Sequence, residues 1–215
     1  MITIKYKKTY PANLLPHVDT LRALQRIWRR IGANTNYSQG FNPHMLLYMS
    51  PPLTLGLSSL CEYMTVDAET DCDVISKFNA NSPQGITAEK VFYTAKNPNT
   101  AGKITKGEYE INCLGLGKAV QNFTAGKSYI ISYEEKGETV NKDIADRIFS
   151  VKPMSDDVVT VILAYGNLNL KADRLLRYWC AEYGLDYNTA EITKKNTFCG
   201  DIPTDEYIEN LDKKV

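Results

Sequence analysis

The sequence predicts an α+β protein, and three patterns lead to this fold class. The opening residues ITIKYKKTY alternate apolar and polar side chains, which is typical of a strand with one buried face. Apolar residues then recur at helical spacing up to Ile31 and stop at Gly32, a residue type common just after helices. Further strand patterns follow, separated by a second short helical pattern, so strands and helices alternate along the chain.

In the first half, the elements occur in the order strand, helix, strand, strand, helix, strand. The first helix follows Asp19, which we expect to be its N-cap, and the second begins near Asp71 or Asp73. This order is that of a ferredoxin-like unit, in which an antiparallel sheet carries two helices on one face. The supporting segments are the helical stripe Leu21, Leu24, Trp28 and Ile31, the strands MLLYMSP, CEYMTVDAE and ITAEKVFYTA, and the short helix with Val74, Ile75 and Phe78.

The second half repeats this order after the segment KNPNTAGKITKG, whose composition is typical of a linker. We therefore expect two tandem ferredoxin-like (βαββαβ) units with antiparallel sheets, at residues 1–97 and 106–200, and a tail at 201–215. The supporting segments are the strands GEYEINCLG, SYIISYEE, DVVTVILAYG and AEITKKNTFC, the short helix KAVQNFTAG, and the helix Leu170 to Tyr183 with Ala172, Leu175, Leu176, Trp179 and Tyr183 on one face.

Composition limits the possible partners and compartments. Lys plus Arg and Asp plus Glu both number 25, so the formal net charge is zero, and attraction to nucleic acid or anionic lipid requires a local patch. The N-terminal residues contain lysines where a signal peptide needs an apolar core, and no later run approaches the roughly 18 apolar residues of a membrane span. We expect a cytoplasmic protein with no membrane contact.

The five cysteines argue against a self-contained metal or iron–sulfur site. They stand far apart, with no CxxC pair and no CxxxCxxC triplet, at positions 61, 72, 113, 180 and 199. A glycine-rich phosphate loop and a GxSxG nucleophile elbow are also lacking. We expect this chain to bind no cofactor of its own.

The stretch YSQGFNPH, residues 37–44, predicts a rigid polar loop. Gly40 permits a backbone turn that other residues resist, and Pro43 restricts Asn42 to an extended conformation. The apolar strand that follows would fix the loop to a sheet. Tyr37 and Phe41 either offer stacking area on this loop or seal the sheet edge.

The first helix predicts a second polar surface. Arg22, Arg26, Arg29 and Arg30 fall on the side opposite the apolar stripe, which gives a cationic face in an otherwise neutral protein. Arginine suits phosphate because its planar guanidinium donates paired hydrogen bonds. The alternative is a solvated helix face, which is common in soluble proteins.

His17, His44 and Asp19 are the residues from which imidazole chemistry could be assembled. Imidazole titrates near neutral pH, and two imidazoles with a carboxylate could move a proton or hold a divalent metal. The alternative is structural: Asp19 caps the helix, His17 bonds the adjoining loop, and His44 fixes the turn. We expect this helix start and the YSQGFNPH turn to lie near one another.

The segment from Leu15 to Glu69 closely resembles the DUF2344 family, bacterial radical-SAM-linked proteins of unknown function. Its histidine–aliphatic–aspartate pattern falls on His17, Val18 and Asp19, its tyrosine–serine–Gln/Glu–GFNPH signature on residues 37–44, and its apolar Pro-Leu-Gly segment on PPLTLGLSSLCEY. In the second half, EEKGETVNKDI and NLNLKADRLL are similar to later family landmarks. The chain departs from the family at Met45 and at Lys171–Ala172, where proline and an Arg-Pro pair are common.

The resemblance implies a partner protein of a separately encoded radical SAM enzyme, which would itself carry the iron–sulfur cluster and S-adenosylmethionine. We expect an accessory or substrate-recognition protein, with RNA as a second partner to test. Two alternatives stay open: a metal-independent RNA-processing enzyme with His17 as acid or base, by fold-level analogy to repeat-associated CRISPR RNA endonucleases, and a purely protein-binding scaffold. The expected contact residues are His17, Asp19, Arg22, Arg26, Arg29, Arg30, Tyr37, Ser38, Gln39, Phe41, Asn42 and His44.

Overall fold

The computed structural model describes residues 1–123, 128–135 and 137–211, and it has the α+β class that the sequence predicts. The chain forms two compact units. The first contains residues 1–104 and 196–215, and the second contains residues 105–195. The division between them at residues 104 and 105 falls within the predicted linker segment, which also contains a short helix.

The first unit is built on an antiparallel sheet. Its elements up to residue 104 are β1 (Ile2–Lys8), α1 (His17–Ile31), β2 (Asn34–Thr35), β3 (Leu47–Met49), β4 (Ser58–Val66), β5 (Ala68–Glu69), α2 (Val74–Asn81), β6 (Ile86–Tyr93) and α3 (Thr100–Lys103). β1 pairs with β4 on one side and β6 on the other, and β3 pairs with the far edge of β4. Among the strands up to residue 104, the spatial order is therefore β3-β4-β1-β6.

One face of this sheet and the two longer helices enclose the core of the first unit. Ile2 and Ile4 of β1 alternate with polar residues, as the sequence predicts, and pack with Leu24, Trp28 and Phe78 from the helices. Each of these side chains is nearly or fully buried. Burying a large apolar side chain stabilises a fold by about 1.5–3 kcal/mol, so the helical stripe positions α1 firmly on the sheet.

The start of α1 differs from the prediction. The helix begins at His17, because the carbonyl of Pro16 accepts the first helical bond from the Thr20 amide at 2.9 Å. Asp19 is consequently a first-turn residue and not the N-cap. It forms an ion pair with Arg22 at 3.1 Å, and its charge is favourable near the positive end of the helix dipole.

The second unit also combines β-strands with helices. Its elements, and the two that follow it, are β7 (Lys106–Asn112), α4 (Leu116–Ala119), β8 (Ile130–Glu135), β9 (Glu138–Asp143), β10 (Ile148–Pro153), β11 (Val158–Ala164), α5 (Ala172–Tyr183), β12 (Glu191–Cys199), β13 (Ile202–Pro203) and α6 (Thr204–Glu209). The strand order is β10-β11-β7-β12, and β8 and β9 form a separate hairpin. The strand predicted at SYIISYEE is β8, which lies in this hairpin and not in the larger sheet; the sequence analysis predicted neither β9 nor β10.

Two helix predictions in the second unit need correction. The apolar stripe of α5 is buried at Ala172, Leu175, Leu176 and Trp179, but Tyr183 is exposed and Cys180 is buried instead. The expected short helix at residues 118–126 is the single turn α4, which begins and ends earlier; residues 124–126 lie outside the described part of the chain. Gly117 sits in this turn where the backbone oxygen of Ser155 leaves no room for a side chain.

The predicted tail is wrong for residues 202–209. These residues form β13 and α6, which belong to the first unit. Asp205 of α6 accepts a hydrogen bond from the Tyr63 hydroxyl at 2.5 Å and pairs with Lys5 at 2.9 Å. Burial and this carboxylate raise the pKa of Tyr63 far above its usual value. Because Tyr63 and Lys5 lie on the sheet face away from the core helices, α6 covers that second face.

Candidate functional site

The YSQGFNPH stretch and Met45 form a closed loop that is held by its first and last residues, and we call it the 37–45 loop. An antiparallel bridge joins Tyr37 to Met45, and the Ser38 amide donates to the His44 carbonyl at 2.9 Å. The Ser38 hydroxyl oxygen accepts from the His44 amide at 3.1 Å and lies 2.8 Å from His44 Nδ1. These paired bonds hold the His44 main chain and ring in place on the loop.

The base of this loop is tied to the sheet. The Asn36 amide donates to the Asp67 carbonyl, and the Asp67 amide donates to the Leu46 carbonyl. Met45 is buried in the core, and the indole of Trp28 donates to the Thr35 hydroxyl at 3.0 Å. The loop therefore projects from a fixed platform.

The tip of the loop presents an aromatic ring to solvent. Gly40 adopts φ +129°, a conformation that side chains resist. Phe41 follows with a relative exposure of 106%, so this ring does not seal the sheet edge. Gln39, Asn42 and His44 are exposed beside it, and Tyr37 is partly exposed.

His17 and Asp19 lie at the other end of the first unit, contrary to the expectation of one shared cluster. The Lys8 ammonium at the end of β1 donates to the Leu15 carbonyl just before α1. The base of the loop instead adjoins the opposite end of the sheet. There Ile2 of β1 pairs with Val66 of β4, and Val66 pairs with Leu47 of β3. The 15-residue helix between these ends is about 22 Å long. A helix that follows a strand returns along the sheet. The start of the helix and the start of the next strand therefore lie at opposite ends of the sheet.

This separation removes the combined imidazole site. Asp19 pairs with Arg22, and His17 is exposed at the start of the helix. Within the described ranges, no group of three histidine, cysteine, aspartate or glutamate side chains is arranged to hold a metal ion. Each histidine must therefore be interpreted with its own surroundings.

Four large apolar side chains are exposed at the start of α1, in the segment that leads into it and in the Pro-Leu-Gly segment. Their relative exposures range from 55% for Val18 to 72% for Tyr10, and we call the set the apolar patch: Tyr10, Leu14, Val18 and Leu55. The Asn13 side chain donates to the Gly56 carbonyl at 2.9 Å, and the Gly56 amide donates to the Asn13 carbonyl at 3.0 Å. These two hydrogen bonds bring the Pro-Leu-Gly segment against the turn that precedes α1.

The sequence analysis missed the apolar patch, although a signal was present. Leu14 and Val18 flank Pro16 at the predicted helix start, and Leu55 lies in a proline- and glycine-containing segment, where apolar residues need not be part of the core. Only the pairing of Asn13 with Gly56 shows that these segments meet. That long-range contact is not readable from local periodicity.

A glycine supports this end of the unit by close packing. The Thr9 amide donates to the Gly85 carbonyl at 2.8 Å, and Gly85 has φ +88°. A Cβ at this position would lie 2.5 Å from the Thr9 carbonyl oxygen and 2.8 Å from the Ala12 amide nitrogen. Only glycine fits here without displacing the backbone beneath the apolar patch.

The family comparison covers both of these ends. The family described as an uncharacterized protein conserved in bacteria, DUF2344, matches residues 1–174. The chain belongs to the DUF2344 family. None of the curated proteins matches it.

The arginine face of this DUF2344 protein is solvent-exposed. All four arginines are exposed, and Arg22 is paired with Asp19. Within the described part of the chain, Arg26, Arg29 and Arg30 have no ion-pair partner. Exposed carboxylates of Glu69, Asp71 and Asp73 stand at the same end of the unit as the last turn of α1, so the local charge there is mixed.

Membrane and cysteine features of this DUF2344 protein add two observations. In residues 1–123, 128–135 and 137–211, no helix has the length and apolar character to cross a membrane.

All five cysteines are free thiols. Burial, followed by the neighbouring Cys113, raises the pKa of the Cys180 thiol to about 11, which keeps it protonated and weakly nucleophilic at neutral pH.

Proposed function

We propose that this DUF2344 protein is an accessory recognition protein that works with a separately encoded radical SAM enzyme. The resemblance to radical-SAM-linked proteins suggests the partner. The observation that carries the proposal is that two different exposed surfaces, the 37–45 loop and the apolar patch, lie at opposite ends of the 15-residue helix α1. An accessory protein that holds an enzyme and a substrate needs two surfaces that can be occupied together.

The apolar patch is the proposed docking surface for the enzyme. Grouped apolar side chains on a monomer surface are characteristic of protein contacts, and scattered ones are not. The residues next to Val18 in sequence are His17 and Asp19, and the Asp19 carboxylate is already paired with Arg22. A partner surface that is largely apolar at its centre would therefore fit this patch without burying an unpaired charge.

The 37–45 loop is the proposed substrate contact. Phe41 is an anchor held on a hydrogen-bonded frame, so little conformational freedom is lost when it binds. Aromatic anchors of this kind contribute most of the binding energy in many interfaces. The exposed amides of Gln39 and Asn42 supply donors and acceptors around the ring.

The proposed architecture is a tandem of ferredoxin-like units. In the first unit, the order β3-β4-β1-β6 is the order second, third, first, fourth strand of a βαββαβ unit. In the second unit, β10-β11-β7-β12 has the same order when the β8–β9 hairpin is taken as an insertion. This likeness of strand order supports a repeat in which β10, and not the predicted SYIISYEE strand, is the second strand.

The protein is further proposed to act in the cytoplasm and to bind no cofactor itself. The iron–sulfur cluster and S-adenosylmethionine would belong to the enzyme. RNA is a second candidate for the substrate side, favoured by Arg26, Arg29 and Arg30, which are exposed and have no ion pair within the described ranges. The carboxylates at the same end of the unit weaken the field that these arginines produce.

Binding to the purified radical SAM enzyme of the same genome tests the proposal. The double variant Leu14→Glu/Val18→Glu should weaken binding at least tenfold, because charges would be buried at the centre of the interface. Leu168→Glu is the matched control, since Leu168 is 63% exposed in the second unit. Phe41→Ala should leave enzyme binding unchanged and reduce substrate conversion by the complex.

Two results would overturn this assignment. Failure of the wild-type protein to bind the enzyme at micromolar concentrations would contradict the proposed partnership. Equal weakening by the patch variant and by Leu168→Glu would remove the apolar patch as the docking surface. Circular dichroism of each variant establishes that the fold is intact.

A further inference from the structure

A groove in the second unit lies between strand β8 and helix α5. It encloses about 590 Å³, which is within the usual range of roughly 300–1,000 Å³ for small-molecule sites. Ile130 and Ile131 form its wall on the strand side, and Ile130 is exposed. Lys171, Arg174, Arg177 and Tyr178 line its helix side.

The cations of this groove are positioned along one helix. Lys171 immediately precedes α5, and Arg177 lies two turns further on. The Arg177 guanidinium stacks over the Tyr187 ring, 3.9 Å from its centroid. This stacking holds the guanidinium in place before any ligand arrives, which lowers the entropy cost of binding an anion.

The aromatic side of the groove is also fixed. Tyr178 makes an edge contact with Tyr129, whose ring stacks on Phe123 at a centroid distance of 4.4 Å. Phe123 in turn contacts the buried Trp179. The groove therefore has a preformed apolar and aromatic wall opposite its cations.

Carboxylates in the same groove argue against a simple anion site. Asp173 and Glu182 also line it, and they would repel a ligand that carries only negative charge. Oδ1 of Asp173 is buried and has no hydrogen-bond partner in the part of the chain that the structure describes. A buried acceptor without a donor is costly, and rotation of this carboxylate toward the groove would let a ligand donor satisfy it.

We propose that the groove between β8 and α5 binds a nucleoside phosphate. The phosphate would contact Lys171 and Arg177, and the base and ribose would pack against Ile130 and Tyr178. Ribose hydroxyls donate hydrogen bonds to carboxylates in dinucleotide-binding folds, and Glu182 could accept such a bond here. This ligand class uses the cations, the carboxylates and the apolar wall together, whereas a bare anion or an apolar ligand uses only some of them.

Isothermal titration of the full chain with adenosine monophosphate, a 5′-phosphorylated tetraribonucleotide and inorganic pyrophosphate tests this site. Adenosine monophosphate or the tetranucleotide should bind, and Lys171→Glu and Arg177→Glu should each weaken binding at least tenfold. Lys152→Glu is the matched control, because Lys152 is an exposed lysine on β10 of the same unit. Ile130→Ala should weaken nucleotide binding without changing pyrophosphate binding.

The probes separate the possible sources of the ligand. Binding of adenosine monophosphate as tight as that of the tetranucleotide supports a free nucleotide, and binding of the tetranucleotide alone supports an RNA end. Pyrophosphate binding equal to that of both, with the same variant losses, would overturn the proposal in favour of an unselective anion site. Absence of binding by all probes at millimolar concentration would overturn it outright. Lys171→Gln repeats the test if Lys171→Glu does not fold.

Discussion

The two ends of the first unit reach rigidity by different physical means. The 37–45 loop is held by hydrogen bonds, with Ser38 and His44 bonded through both main-chain and side-chain atoms. The end beneath the apolar patch is held by close backbone packing, with Gly85 against Thr9 and Ala12. Loss of one hydrogen bond costs about 1 kcal/mol, whereas a steric clash with main chain has no inexpensive relaxation. The two ends should therefore differ strongly in their tolerance of single substitutions.

The largest effect is expected for Gly85→Ala. The new methyl group would overlap the Thr9 carbonyl oxygen, and alanine would also have to adopt φ +88°. Together these should lower the free energy of unfolding by about 3 kcal/mol or more. Urea denaturation measures this loss.

Gly56→Ala is the matched control for that clash. Gly56 has nearly the same φ, +87°, but in the described part of the chain no atom beyond the adjoining residues lies within 4 Å of the point that an alanine Cβ would occupy. Its substitution should cost only the strain of the left-handed conformation, about 1–2 kcal/mol. Equal losses for the two variants would show that the close approach to Thr9 and Ala12 is unimportant.

An intermediate effect is expected for Ser38→Ala at the loop end. Removal of the hydroxyl leaves the His44 amide without its acceptor, which should cost about 1 kcal/mol. Hydrogen exchange of the His44 amide should become faster, while that of the Ser76 amide in α2 should not change. Unchanged protection of His44 would mean that the main-chain bonds alone hold the loop.

Sequence reasoning was reliable where the signal is local. The alternation of β1 and the stripe of α1 are set by neighbouring residues, and the loop conformation was predicted from Gly40 and Pro43. The apolar patch depends on the pairing of Asn13 with Gly56, 43 residues apart. The return of α6 depends on Tyr63 and Asp205, which are 142 residues apart. No pattern within a short window records such contacts.

A pH effect is expected at the start of α2, which lies at the loop end. Hydrogen bonds from the Ser76 hydroxyl and amide lower the pKa of Asp73 below its usual value. A lowered folded-state pKa means that the cap stabilises the fold above the unfolded pKa near 3.8 and loses this contribution as the pH falls through the folded value. Asp73→Asn should therefore reduce the acid-induced loss of stability, which denaturation at pH 7 and pH 3 measures. An identical pH dependence in both proteins would contradict the capping role.

The smallest effect on stability is expected at the arginine face. Replacing Arg26, Arg29 and Arg30 by glutamine should change the free energy of unfolding by no more than about 0.5 kcal/mol for each residue, because all three are exposed. If they contact single-stranded RNA, each lost phosphate contact should flatten the slope of log affinity against log salt by about 0.7. Binding should weaken almost uniformly across RNA sequences, since phosphate contacts do not read bases. Unchanged RNA affinity in the folded triple variant would remove this face as an RNA site, and loss of radical SAM enzyme binding in the same variant would assign it to the protein partner instead.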